Sequence, residues 1–162
     1  MRYALRVFYC RKADSMEIER KFLIHSLPEN LEQYDSYEIE QGYLNKTPVV
    51  RIRKGGDAFT LTYKGSGTLA HEEYNLPLTE EAYLHLLEKC DGRIITKRRY
   101  KIPYQQYTIE LDIFSGCMDG LILAEVEFES IKDADAFIAP DWFKEDVTYD
   151  YRYRNNYMAY GE

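Results

Sequence analysis

Residues 16–24 read MEIERKFLI and alternate with a period of two, a pattern that an extended strand sorts onto two faces. Glu17, Glu19, Lys21 and Leu23 fall on one face, and Ile18, Arg20, Phe22 and Ile24 on the other. Residues two apart on such a face are about 6.5–7 Å from each other. Two carboxylates and an ammonium in one row can therefore serve a cation at one end and an anion at the other. A polar strand face turned to water has the same pattern, so the argument rests on its recurrence further along the chain.

Recurrence is what the sequence shows. Residues 36–44 read as a second strand, closed by a turn from Asn45 to Pro48. Residues 49–54 place Arg51 and Arg53 opposite Val50 and Ile52. After the turn Gly55-Gly56-Asp57, residues 58–64 set Thr60, Thr62 and Lys64 against Phe59, Leu61 and Tyr63. Gly65-Ser66-Gly67 turns the chain into a strand over 69–75 with His71, Glu73 and Asn75 on one side. Residues 93–102 align Lys97, Arg99 and Lys101; 107–113 align Glu110 and Asp112; 121–129 align Glu125, Glu127 and Glu129.

Between the strands, Leu27 to Leu31 allows a short helix with Pro28 near its start. Thr79 can cap a helix running to about Asp91, with Tyr83, Leu86, Leu87 and Cys90 as its buried stripe and Gly92 ending it. Residues 133–138 and 151–160 read as further short helices. Eight strands joined mostly by short turns predict a mostly β, α+β fold with an antiparallel sheet, and eight strands can close into a barrel.

The alternation leaves open which face is inside, because a charged face in water and a charged face lining a channel have the same period. Two features favour the channel. The helical segments need an apolar surface to pack on, which the outside of a barrel supplies. The charges are also sorted by strand: Arg51, Arg53, Lys64, Lys97 and Arg99 lie on basic strands, and Glu110, Asp112, Glu125 and Glu127 on acidic ones. Surface strands more often mix signs.

Composition narrows the partners. A net charge of −7 argues against general affinity for nucleic acid or anionic membrane, so an anion site has to be a local basic cluster. No apolar run is long enough to span a bilayer. Cys10, Cys90 and Cys117 lack metal or disulfide spacing and fit reduced thiols of a cytoplasmic protein. His25, His71 and His85 show no ligand spacing. Asn45-Lys46-Thr47 matches the glycosylation sequon and reads as a polar turn. In residues 1–15, Arg2, Arg6, Arg11 and Lys12 stand against Asp14 alone, a charge of +3 that leaves −10 for the rest. That stretch is expected to be an extension outside a single domain covering residues 16–162.

Some motifs are decoys. Gly65 to Ala70 fits G-x-G-x-x-A but joins two strands and precedes no helix. There is no P-loop signature. Lys97-Arg98-Arg99-Tyr100-Lys101 resembles a nucleic-acid patch, but strand alternation divides it between two faces.

Taken in order, the motifs resemble the CYTH, or triphosphate tunnel metalloenzyme, superfamily. They are E-x-E-x-K at Glu17, Glu19 and Lys21; R-x-R at Arg51 and Arg53; T-x-K-G at Thr62 to Gly65; K-x-R at Lys97 and Arg99; E-x-D-x-F-x-G at Glu110 to Gly116; E-x-E at Glu125 and Glu127; and a closing segment from Asp146 to Asn155. The resemblance implies an eight-stranded antiparallel closed β-barrel, a tunnel with helices packed on the outside, that binds a triphosphate with Mg²⁺ or Mn²⁺. It implies that Lys21, Arg51, Arg53, Lys64, Lys97 and Arg99 hold phosphate oxygens and that Glu17, Glu19 and Glu127 hold the first metal. Glu73, Asp112 and Glu125 would lie near a second metal or the attacking water, which makes Glu19, Glu73, Asp112 and Glu125 the catalytic set. Relatives often carry an acidic residue where this chain has Asn75, which removes a candidate second-metal ligand.

The implied activity is metal-dependent hydrolysis of the terminal phosphate of tripolyphosphate or a small organic triphosphate, by in-line attack of water. A cage of Arg and Lys suits that chemistry, which needs positioning and charge neutralisation more than a covalent nucleophile. The alternatives within the resemblance are thiamine triphosphate hydrolysis, ATP cyclisation as in class IV adenylate cyclases and γ-phosphate removal from RNA 5′ ends. A non-catalytic polyphosphate or nucleotide sensor is the alternative outside the enzymes. The partner expected is a small triphosphate, with no nucleic acid or membrane, bound by a monomer or homodimer.

Overall fold

The alternating segments are strands in the computed structural model, which describes residues 18–65 and 73–161. In chain order the elements are β1 (Ile18–Ile24), β2 (Ser36–Asn45), β3 (Val49–Gly55), β4 (Ala58–Lys64), β5 (Glu73–Pro77), α1 (Glu80–Leu87), β6 (Asp91–Tyr104), β7 (Tyr107–Ser115), β8 (Ile122–Phe128), α2 (Ile131–Ala136), β9 (Phe143–Asp146) and α3 (Asn155–Tyr160). Single 3₁₀ turns occupy Leu31–Gln33, Gly116–Met118 and Tyr151–Tyr153. The strands form one sheet in the order β5-β4-β3-β2-β6-β7-β8-β1-β9, with every neighbouring pair antiparallel. Hairpins build β2 to β5 and β6 to β8, and three longer connections bring β2 to β6, β1 to β8 and β9 to β1.

Two expectations are corrected here. Among the described residues the sheet has nine strands rather than eight, because Phe143–Asp146 pairs with the end of β1. Those four residues carry no period-two pattern, so only the neighbouring strand makes them extended. Nor is closure into a barrel observed: among the described residues the sheet has two edges, β5 and β9, with no ladder between them. Helix lengths also differ. Thr79 caps α1, its Oγ1 accepting from Ala82 N at 3.2 Å, but the helix stops at Leu87 and only Tyr83 is buried. Asp91 and Gly92 already belong to the long strand β6, which ends the helix early. The helix expected at 133–138 runs from 131 to 136, and the one at 151–160 divides into a 3₁₀ turn and α3.

Apolar side chains of one sheet face, Phe22, Ile102, Ile109, Leu111, Ala124, Val126 and Phe128, pack under Ala134 of α2, Phe137 and Phe143. On the same side Tyr83 of α1 meets Phe59, ring centroids 5.2 Å apart. The helices thus cover the apolar face and the charged face is the interior one, as the sorted charges had predicted. At one end of that interior face Tyr43, Ile95, Phe114 and Leu123 form a second apolar cluster with Met158 and Ala159 of α3, so the charged side chains are followed by an apolar plug.

One close approach on the outer face is testable. A Cβ on Gly42 would lie 2.5 Å from Cys90 Sγ and 2.8 Å from Ile94 Cδ1. Gly42→Ala is therefore expected to cost about 1–3 kcal/mol through overpacking, read as a lower urea midpoint. An unchanged midpoint would show that the segment after α1 yields without cost. Among the described residues no helix is long and apolar enough to cross a membrane.

Candidate functional site

Residues directly opposite in an antiparallel pair project from the same face, so the register itself assembles the site. From the β5 edge, Glu73 and Asn75 oppose Lys64 and Thr62, and Thr62 and Thr60 oppose Arg51 and Arg53. Arg53 and Arg51 oppose Gln41 and Tyr43, and β2 in turn sets Ile39 and Tyr37 against Lys97 and Arg99. Lys97, Arg99 and Lys101 oppose Phe114, Asp112 and Glu110. Glu110 opposes Glu125, whose other neighbour is Lys21, while Glu127 opposes Glu19. Every expected site residue among those described lies on this one face; Glu17 lies outside the described residues.

The acidic half is a buried ion-pair network. Asp112 and Lys97 are both fully buried and bonded to each other. Arg99 donates from Nε to Asp112 Oδ1 at 2.6 Å, from Nη2 to Asp112 Oδ2 at 2.6 Å and Glu125 Oε2 at 2.7 Å, and from Nη1 to Glu110. Lys21 Nζ donates to Glu125 Oε1 at 2.8 Å and lies 3.1 Å from Glu19 Oε1. Lys97 and Arg99, expected to hold phosphate oxygens, are thus engaged with carboxylates. Burial alone would raise the Glu125 carboxyl, but Lys21, Lys97 and Arg99 hold it well below the usual range. Burial works against the Lys21 charge too, yet Glu125 and Glu19 leave its pKa raised. For Lys97 burial prevails over Asp112, and its pKa is lowered.

The basic half differs. Arg53 donates from Nε to Gln41 Oε1 at 3.0 Å, and Gln41 Nε2 donates to Tyr43 Oη at 3.2 Å. Arg51 donates from Nη2 to Thr62 Oγ1 at 3.0 Å, while its Nε is buried with no hydrogen-bond partner among the described residues. Burial, with Arg51 and Arg99 close by, pushes the Arg53 guanidinium down to about 10. A cation so placed gains from any anion that arrives. Gln41 and Tyr43 are buried partners that the sequence reading had not singled out, and Thr62, which opens the T-x-K-G motif, had been given no role there. They carry no charge, and only the pairing of β2 with β3 and of β3 with β4 brings them to the arginines.

The carboxylates separate into two kinds. Glu19 and Glu127 face each other across β1 and β8, and both are exposed. Like charges in direct opposition destabilise a sheet unless a cation relieves them, and exposed carboxylate oxygens suit a hard divalent ion. Lys21 lies beside Glu19 on this face, and the exposed oxygens of the pair are of the kind a hard divalent cation takes. Among the described residues no group of three His, Cys, Asp or Glu is close enough to hold a metal, and Glu17, the third ligand expected, is outside them. Glu73, Asp112 and Glu125 are not brought together as one set. Glu73 pairs with Lys64 at 2.9 Å, whereas Asp112 and Glu125 are bridged by Arg99.

Known proteins resemble this chain in sequence and in fold. The family model for the CYTH domain matches residues 15–154. The inorganic triphosphatase of Nitrosomonas europaea is 40% identical over 149 residues, spanning 88% of this chain and 96% of that protein. An inorganic triphosphatase of Acetivibrio thermocellus is 35% identical over 156 residues, spanning 88% and 92%. A crystal structure of an inorganic triphosphatase superposes with a TM-score of 0.70 at 36% identity, covering 88% of this chain and 93% of that one. A putative adenylate cyclase from Bacillus halodurans, at 18% identity and a TM-score of 0.57 over 85% of this chain and 98% of that one, shares the fold alone. The sorted strands, their single charged face and a match over nearly all of that sheet lead to one assignment: the chain belongs to the CYTH domain family.

Proposed function

We propose that this chain is a metal-dependent triphosphatase that hydrolyses the terminal phosphate of inorganic tripolyphosphate or of a small organic triphosphate. The observation that carries this reading is the basic half of the interior face. Arg51 and Arg53 stand side by side, partnered by neutral groups, with a buried Arg51 Nε left over. The names of the two relatives at 40% and 35% identity point the same way.

In this reading the curled sheet works as a tunnel formed by residues 16–162, with residues 1–15 as an extension, in a cytoplasmic monomer or homodimer. Arg51, Arg53, Lys64 and Lys21 bind phosphate oxygens, the arginines through their planar forks and the lysines as point charges. Lys97 and Arg99 complete the positive field from behind while Asp112 and Glu125 fix their geometry. Glu19 and Glu127, with Glu17, hold Mg²⁺ or Mn²⁺, and Glu73 on the β5 edge holds Lys64. The bound cation supplies neutralisation of phosphate charge and acidification of water. The α3 plug closes one end, so the substrate enters from the Glu19 end and the chain is held in line for attack at the terminal phosphorus. Water adds there, the bridging P–O bond breaks, and tripolyphosphate leaves as orthophosphate and pyrophosphate.

The test is phosphate release from tripolyphosphate, thiamine triphosphate and ATP, each with Mg²⁺, with Mn²⁺ and with EDTA. Rapid release from one of them that EDTA abolishes is the expected result. Tight triphosphate binding without release from any would replace this reading with a sensor or a cyclase. Arg53→Ala is expected to raise KM at least about tenfold, the loss of a charge-assisted contact. An unchanged KM would remove Arg53 from the binding wall.

A further inference from the structure

The β3 to β5 part of the interior face contains a hydrogen-bond chain separate from the carboxylate network. Arg51 Nη2 donates to Thr62 Oγ1 at 3.0 Å, Thr62 donates to Asn75 Oδ1 at 2.6 Å, and Asn75 Nδ2 donates to Glu73 Oε1 at 2.9 Å. Lys64 Nζ closes the chain on Glu73 Oε2 at 2.9 Å. The sheet builds this line directly, since Thr62 lies opposite both Arg51 and Asn75, and Lys64 lies opposite Glu73.

The first three bonds run in one direction, from the guanidinium towards the carboxylate. Thr62 is fully buried and its one proton is spent on Asn75. Position 75 must therefore accept from Thr62 and donate to Glu73. A side-chain amide does both, and an ionised carboxylate only accepts. A carboxylate at 75 would also stand against Glu73 and lower the summed charge of Arg51, Arg53, Lys64 and Glu73 with position 75 from +2 to +1.

We propose that Asn75 is a positioning residue for triphosphate binding: through Thr62 it orients Arg51, and through Glu73 it holds Lys64. This rests on the reading of the site given above. The buried Arg51 Nε, unpartnered among the described residues, gives that orientation its purpose, because a guanidinium fixed at one nitrogen presents the remaining donors in a set direction. Asn75 itself is exposed on an edge strand, so its substitution perturbs the wall without opening the core.

The experiment titrates tripolyphosphate calorimetrically, with and without Mg²⁺, into wild type, Asn75→Asp, Asn75→Ala, Thr62→Val and the Thr62→Val/Asn75→Ala double variant, and measures hydrolysis and thermal midpoints alongside. Asn75→Asp is expected to weaken binding about tenfold, with the loss falling on KM more than on kcat and the thermal midpoint held. The double variant is expected to lose no more than its worse single variant, as members of one chain do. Asn75 variants that bind like wild type, losses that follow a falling midpoint, or single effects that simply add would each overturn the role of Asn75. A wild type that binds no tripolyphosphate under either condition would instead overturn the reading of the whole site.

Discussion

Replacing Asp112 by alanine is expected to cost about 3–5 kcal/mol, enough to unfold much of the protein at moderate temperature, because it leaves buried charge unpaired. Asp112 is fully buried and accepts from both Lys97 and Arg99. Without it the Lys97 ammonium, also fully buried, is left over the face of the Phe114 ring at 5.1 Å. Burial already lowers the Lys97 pKa with Asp112 present, so its removal favours an uncharged lysine in the core. Arg99 still has Glu110 and Glu125, which confines the damage to one end of the network. Urea unfolding measures the effect. Arg98→Ala, which breaks the exposed pair with Glu38 on the other face, is the control and is expected to change stability by less than about 1 kcal/mol. Equal costs for the two would mean that the buried network contributes nothing beyond a surface ion pair.

Glu19→Gln is expected to remove at least about a hundredfold of the metal-dependent turnover while the protein stays folded. The Glu19 side chain is 43% exposed and its partner Lys21 retains Glu125 at 2.8 Å, so an isosteric amide disturbs little packing. What changes is the oxygen set facing Glu127, where one of two opposed carboxylates becomes a weaker ligand. Activity is followed across a Mg²⁺ and a Mn²⁺ titration together with the thermal midpoint. A right-shifted metal dependence at an unchanged midpoint is the expected pattern. Full activity at low metal would remove Glu19 from the site.

The two experiments separate the two duties of the charged face. Asp112 and Glu125 spend their charge on Lys21, Lys97 and Arg99 and make the interior rigid. Glu19 and Glu127 stay exposed, and Arg51 has a buried Nε without a partner among the described residues, the features that the proposed ligand would use. A sequence motif such as K-x-R does not distinguish these duties, since Lys97 and Lys64 look alike until their partners are known.

The amino-acid sequence by itself determined which side chains travel together. Parity along a strand is a local property: residues i and i+2 share a face whatever the strand pairs with, so Lys21 with Glu19, Arg51 with Arg53 and Glu125 with Glu127 were placed correctly from spacing alone. Tertiary structure decided the rest. It turned the charged face inward by laying α1 and α2 on the apolar one, and drew Phe143–Asp146 into the sheet as a ninth strand. It also enlisted Gln41, Tyr43, Thr62 and Asn75, uncharged residues that no charge pattern marks. Asn75 shows the difference most directly: by resemblance to its relatives it is an absent carboxylate, and in the sheet it joins Thr62 to Glu73. The reason is physical. Alternation is dictated by backbone geometry within one strand, whereas burial, partner and hydrogen-bond direction depend on which strand lies alongside, and that is settled by contacts between residues far apart in the chain.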